Sequence, residues 1–176
     1  MCELLEGYSK LCDETGGVDV WYWFSLTDDT GASNIATYTV AAGEVTALSL
    51  VSGKQAYPLN VEMETSTFTD TGIGGRTEGS YAREQEATVV FHGNTKEMIV
   101  TLENAGKGRT VLIPKLNDGT YEVLFAEKGA KMSDVRTPGT AYEDMNGNTL
   151  TFSGKEKFKA PKIDSAIVAT LLTAAP

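Results

Sequence analysis

The chain has 176 residues, 41% hydrophobic and 22% charged, enough apolar material for the core of one globular domain. Lys and Arg total 15 against 24 Asp and Glu, a net charge of −9 that disfavours a nucleic-acid groove built from the fold as a whole and predicts an outer surface that repels DNA. No stretch carries the basic and apolar regions of a signal peptide, and no run approaches the roughly 18 apolar residues of a membrane span, so a soluble protein made in the cytoplasm is expected.

Residues 1–17 read as an N-terminal segment ending in the Gly16-Gly17 break, and residues 18–176 as a single β domain. Cys2 and Cys12 lack the companions of a zinc site. A disulfide between them and a pair of free thiols both remain open, a reducing cytoplasm favouring the thiols. Val18 to Leu26 (VDVWYWFSL) has the β-branched and aromatic composition of a strand. Strands at Ile35 to Val40 and Val45 to Val51 follow, joined through Ala41-Ala42-Gly43-Glu44.

Tyr57 to Met63 and Arg83 to Phe91 alternate with period two. Tyr57, Leu59, Val61 and Met63 share one face of the first, while Ala87, Val89 and Phe91 share one face of the second. Glu62 and Glu64, with Glu84 and Glu86, then mark a wet acidic face on two strands. Like charges across a ladder are destabilising, so such a face suggests a role other than stability. Between the two strands, FTDTGIGGRTEGSYAREQ reads as a long polar loop spanning Thr69 to Ala82.

Thr95 to Ala105 (TKEMIVTLENA) is the clearest helix, with Thr95 as N-cap and Gly106 as stop. Met98, Ile99 and Leu102 form its narrow apolar stripe. Strands at Thr110 to Leu116 and Tyr121 to Phe125 flank an Asn117-Asp118-Gly119 turn, and Glu127 to Thr140 reads as a loop. Ala141 to Met145 is expected to pair with Thr149 to Ser153 through Asn146-Gly147. Ile163 to Leu172 is apolar and β-branched, a final strand or a short helix. Many short strands and one clear helix predict a mainly-β sandwich or barrel with a flanking helix.

Catalytic chemistry finds little purchase. His92 is the only histidine and has no nucleophile-elbow context beside it, so a structural or solvent-facing histidine is the simpler reading. The four carboxylates could mimic a glycosidase pair, but a solvated acidic face needs less machinery. Asp144-Met145-Asn146-Gly147 begins like a calcium loop, yet its sixth and twelfth positions hold Thr149 and Lys155 instead of Gly and Glu. Gly72-Ile73-Gly74-Gly75 lacks the strand-then-helix context of a phosphate cradle. Trp21 and Trp23 share a strand face and fit either core packing or a sugar-stacking platform. No enzyme, metal or cofactor is expected.

The order of these features resembles phage tail tube proteins, in particular the tube-like structural proteins of phages and prophages of Bacteroidetes. The resemblance runs over most of the chain. It rests on Cys12 and Gly16-Gly17 before an aromatic strand, on FTDTG, on SYAREQEATVVF and on the helix TKEMIVTLENA. The segments VLIPKLNDGTYEVLF and GTAYEDMNGNTLTFSGKEK complete it. It implies a β-sandwich or barrel with a flanking helix that contributes strands to a ring-shaped inner barrel, in stacked, usually hexameric, rings of a virion tail. It also implies partners: other copies of the chain, a tape-measure protein, and terminator and baseplate or tip proteins, with DNA crossing the lumen unbound. Glu62, Glu64, Glu84 and Glu86 would line an acidic lumen, and Thr69, Asp70, Gly72, Gly74, Gly75, Arg76 and Tyr81 would contact a neighbouring subunit or ring. A tail terminator, a capsid decoration protein and a carbohydrate-binding sandwich are the alternatives.

Overall fold

The computed structural model describes residues 16–28, 30–61, 64–75, 79–93, 95–140 and 146–173. Short β-branched and aromatic runs between turn residues form β1 (Val18–Ser25), β2 (Ile35–Ala41), β3 (Glu44–Leu50) and β4 (Tyr57–Asn60). After them come β5 (Thr67–Gly75), β6 (Ser80–His92), helix α1 (Lys96–Lys107), β7 (Thr110–Leu116) and β8 (Tyr121–Glu122). The chain ends with β9 (Lys131–Thr137), β10 (Gly147–Glu156), β11 (Lys162–Ile163) and helix α2 (Ser165–Leu171). The strands make a seven-stranded sheet, β2-β3-β11-β8-β7-β1-β4, and a four-stranded sheet, β5-β6-β10-β9. This is the expected mainly-β, sandwich-like class.

The aromatic strand β1 explains the layering. β4 and β7 pair along its two edges, and a core packs against each of its faces. Trp21 and Trp23 point into a core shared with Ala87, Val89, Phe91, Leu150 and Phe152 of the small sheet and with Leu102 and Ala105 of α1. Trp21 meets Phe68 edge-on at 6.1 Å and Trp23 meets Phe152 edge-on at 6.4 Å, a favoured aromatic geometry. Tyr22 and Phe24 point the other way, into a second core with Val45, Leu48, Val111, Ile113 and Val123, plugged by Val168 and Leu171 of α2. The large sheet curls over this core. Asn34, just before β2, donates its side-chain amide to Ser25 O at 2.8 Å and its backbone N–H to Leu26 O at 2.8 Å.

Pro114 lies inside β7, opposite Trp21. A proline cannot donate to a ladder, and the pairing to β8 is interrupted there, between Lys115–Tyr121 and Leu112–Leu124. Thr95 caps α1, its Oγ1 accepting from Met98 N at 3.2 Å, and the helix continues past the predicted Gly106 to a cap at Gly108, whose N–H donates to Asn104 O.

Two expectations change, and a choice left open is decided. The run from Glu127 to Thr140 contains strand β9, in which Met132 alone is buried, so the core left no alternation to read. Ala141 to Met145 lies outside the described residues, and β10 pairs with β6 and β9. The apolar C-terminal run is a two-residue strand followed by α2, because Asp164 accepts Ala166 N at 2.7 Å and starts a helix.

Phe152→Ala removes a fully buried ring between the sheets and is expected to lower unfolding free energy by about 3–5 kcal/mol in a urea titration. Thr151→Ala, on the opposite face of the same strand, should change it by no more than about 0.5 kcal/mol.

Candidate functional site

The four-stranded sheet collects most of the residues the sequence singles out, in an arrangement different from the one expected. Tyr57 to Met63 and Arg83 to Phe91 are not partners: β4 pairs with β1 in the large sheet, whereas β6 pairs with β5 and β10. Glu64 sits in a turn at φ 61°, off the face that carries Glu84 and Glu86. Glu62 and Arg76 lie outside the described residues. The four glutamates therefore do not make one acidic wall. Burial chose the partners of each strand, and two strands with like alternation were sent to different sheets.

The polar loop is also corrected. Thr69, Asp70, Gly72, Gly74 and Gly75 belong to β5, and Tyr81 to β6, in a continuous antiparallel register from Thr67–Thr88 to Gly75–Ser80. Because β10 pairs with β6 only from Arg83 onward, the hairpin projects beyond the sheet as a two-stranded arm. Its glycines serve the strand rather than a disordered loop. Gly74 stands at φ 77°, where a Cβ would press on Ser80 O, and Gly72 leaves space for the Tyr81 hydroxyl, 2.8 Å from where a Cβ would lie.

Asp70 braces the arm. Its carboxylate accepts Arg83 Nε at 2.8 Å and the backbone N–H of Ala160 at 2.9 Å, and its carbonyl accepts Arg83 Nη2 at 2.6 Å. Arg83 Nη1 donates to Tyr81 Oη at 2.8 Å. These bonds, Asp70 first, hold the guanidinium pKa above its ordinary value. Asp70 thus ties the two strands of the arm together and both to the segment at Ala160 that leads from β10 to β11.

Facing away from the core, the sheet is a register of hydroxyls. Thr67, Thr88, Thr151 and Ser133 lie in one row across the four strands. The next row is Thr69, Glu86, Ser153 and Lys131, and the one beyond is Thr71, Glu84 and Lys155. Glu84 and Glu86 are exposed as expected, but Lys155 stands directly opposite Glu84, and Lys131 closes the row of Glu86. These rows are polar and charge-balanced, while the row towards His92, made of Val90, Thr149 and Val135, adds an exposed valine.

Its inner side is clamped at one corner. Buried Gln85 accepts the N–H of Phe125 at 2.9 Å, holding that residue at φ 62°. Glu156, also buried, accepts Lys128 N at 3.1 Å and so closes the 125–129 turn. A cavity of about 220 Å³ beside this turn is lined by Tyr38, Val40, Phe125, Glu156, Phe158 and Pro161. Burial raises the Glu156 pKa and, more than any charge nearby, pushes Tyr38 up to about 12.

Sequence reasoning passed over Lys155 to Lys162. This stretch holds four of the chain's 15 basic residues, and Phe158 within it is exposed with Lys157 Nζ 5.1 Å from its ring centroid. The alternation of lysines in GKEKFKAPK was the available signal. Trp21 and Trp23 are buried, which removes them as a stacking platform. His92 is exposed at the end of β6, opposite Gly147. Among the described residues no group of three His, Cys, Asp or Glu side chains is placed to hold a metal ion.

Asp70→Ala should cost about 2–3 kcal/mol, since charged hydrogen bonds left unmade cost about that much, and Asp70→Asn, which keeps an acceptor for Ala160, should cost less in the same chemical denaturation series. Glu156 makes stability fall as pH rises. Its folded pKa lies above the unfolded value of 4.5, so between the two the folded state holds the extra proton, and the advantage is lost as pH passes the folded value. Asp28 and Asp118, whose pKa values are lowered first of all by hydrogen bonds from Thr30 and Thr120, act in the opposite sense. The difference between the parent and Glu156→Gln in melts from pH 4 to 8 isolates the effect: the variant should gain relative stability as pH rises.

No family model, curated protein or solved structure matches this chain.

Proposed function

We propose that the chain is a tail tube subunit of a phage or prophage virion, built to form rings through the edges of its four-stranded sheet. One observation carries this reading. The sheet has four antiparallel strands in the order β5-β6-β10-β9, and no described strand pairs with the outer edge of β5 or of β9. Three antiparallel steps separate these edges, so β5 and β9 run in opposite directions. The β9 edge of one copy can therefore meet the β5 edge of a rotated copy with the antiparallel alternation unbroken. Repetition around an axis closes a ring without a free edge, which relieves the aggregation hazard of open strands.

Chemistry of the outer face supports a channel lining. Threonine and serine hydroxyls, with Glu84 and Glu86 countered by Lys131 and Lys155, present little net charge to a passing phosphate chain. DNA would slide past without the counterion release that drives tight binding. The lumen is thus proposed as polar and nearly neutral in place of acidic. Six copies per ring, and contacts with tape-measure, terminator and tip proteins, are what the sequence resemblance adds.

Ala130 turns its N–H and C=O to Thr110, so by strand alternation Asp134 addresses the open side of β9. Asp134→Pro removes an outward donor while sparing the β10 ladder. Purified parent protein at high concentration is expected to give rings or tubes by negative-stain microscopy and light scattering, and Asp134→Pro monomers with a nearly unchanged melt. Rings from the proline variant, or a parent that stays monomeric at every concentration, would sink the proposal.

A further inference from the structure

The small sheet has two unlike ends. At one, the chain leaves β10 where Glu156 stands opposite Arg83, and Phe158 is 62% exposed, flanked by Lys157 and Lys159. A ring held in water next to an ammonium gains a little from the cation–π contact but keeps its apolar area unburied. At the other end β6 stops at His92 and α1 begins. From Thr95 a cleft of about 600 Å³ runs along α1 as far as Thr110, between the helix and the β1–β4 pair. Trp23, Leu59, Met98 and Ala105 supply apolar lining, and Tyr57, 54% exposed, stands beside them. Glu97, in the first turn of α1, is the one charged residue among those lining it.

We propose that Phe158 of one copy, with Lys157 and Lys159, seats in the α1–β4 cleft of a second copy. Shape and charge both select this occupant. The ring is the exposed apolar group of a basic segment, and the cleft is an apolar slot with an acidic side chain on its wall. Its volume lies in the range that encloses a small organic group. In its own copy Phe158 lines the cavity beside the 125–129 turn, which shares no lining residue with the cleft, so the knob is placed away from its own cleft. The contact joins unlike surfaces head to tail, and a contact of that kind propagates. It deepens the tube reading by naming what would stack one ring on the next.

Position 158 can carry the photoreactive aromatic p-benzoylphenylalanine in the full-length protein. Irradiation is expected to give covalent dimers whose linked peptides include Trp23, Tyr57 to Leu59 or Met98. Glu97→Lys should cut dimer yield about tenfold at low salt, and adding Lys157→Glu and Lys159→Glu to it should restore the yield. Linkage within one chain, linkage to other peptides, or no dimers at any concentration overturns the proposal. Rings that form normally while position 158 links elsewhere refute the stacking contact alone. Cleft-linked dimers from a protein that never forms rings support the contact and refute the tube.

Discussion

The fold depends on a single strand whose two faces are both buried. In β1 the alternation of Trp21 and Trp23 with Tyr22 and Phe24 sends large rings into two separate cores. One core binds the small sheet and α1 to the large sheet, and the other is the inside of the curled large sheet with α2 as its plug. An aromatic side chain buries far more area than an aliphatic one, so β1 anchors both layers at once. The indole N–H of Trp21 has no hydrogen-bond partner among the described residues, which is the cost of packing a ring that large at the junction.

The small sheet then becomes a platform with different demands on its two sides. Its inner side is held by packing and by buried polar clamps: Gln85 on Phe125, Glu156 on Lys128, and Asp70 on Arg83 and Ala160. Such groups are expensive to bury unless satisfied, and here each is. Its outer side owes nothing to the core, which leaves it free for hydroxyls and balanced charge. The backing is rigid, the outer face is unconstrained, and among the described residues no strand pairs with the outer edge of β5 or β9.

Legibility in the sequence followed burial. β1, β3, β7 and α1 were readable because their apolar pattern or capping residues are local properties of the chain, and β2, which buries no residue fully, only from its β-branched and aromatic composition. β5 and β9 were not, because TFTDTGIGG and KMSDVRT bury almost nothing and take their shape from neighbouring strands. The glutamates of the expected acidic wall show the same limit. Alternation placed Glu84 and Glu86 on a wet face correctly, yet it carried no information on which strand stands beside them.

The sequence by itself determined the class of the protein, its many short strands, its capped helix and the outward side of β6, since propensity, capping and period-two burial act within a few residues. Folding in three dimensions decided that the long polar stretch is a hairpin braced by Asp70, that Lys155 answers Glu84, and that Phe158 and the α1 cleft are separate parts of the surface. Those outcomes depend on strand pairing between residues far apart in the chain, and a local pattern does not encode its partner.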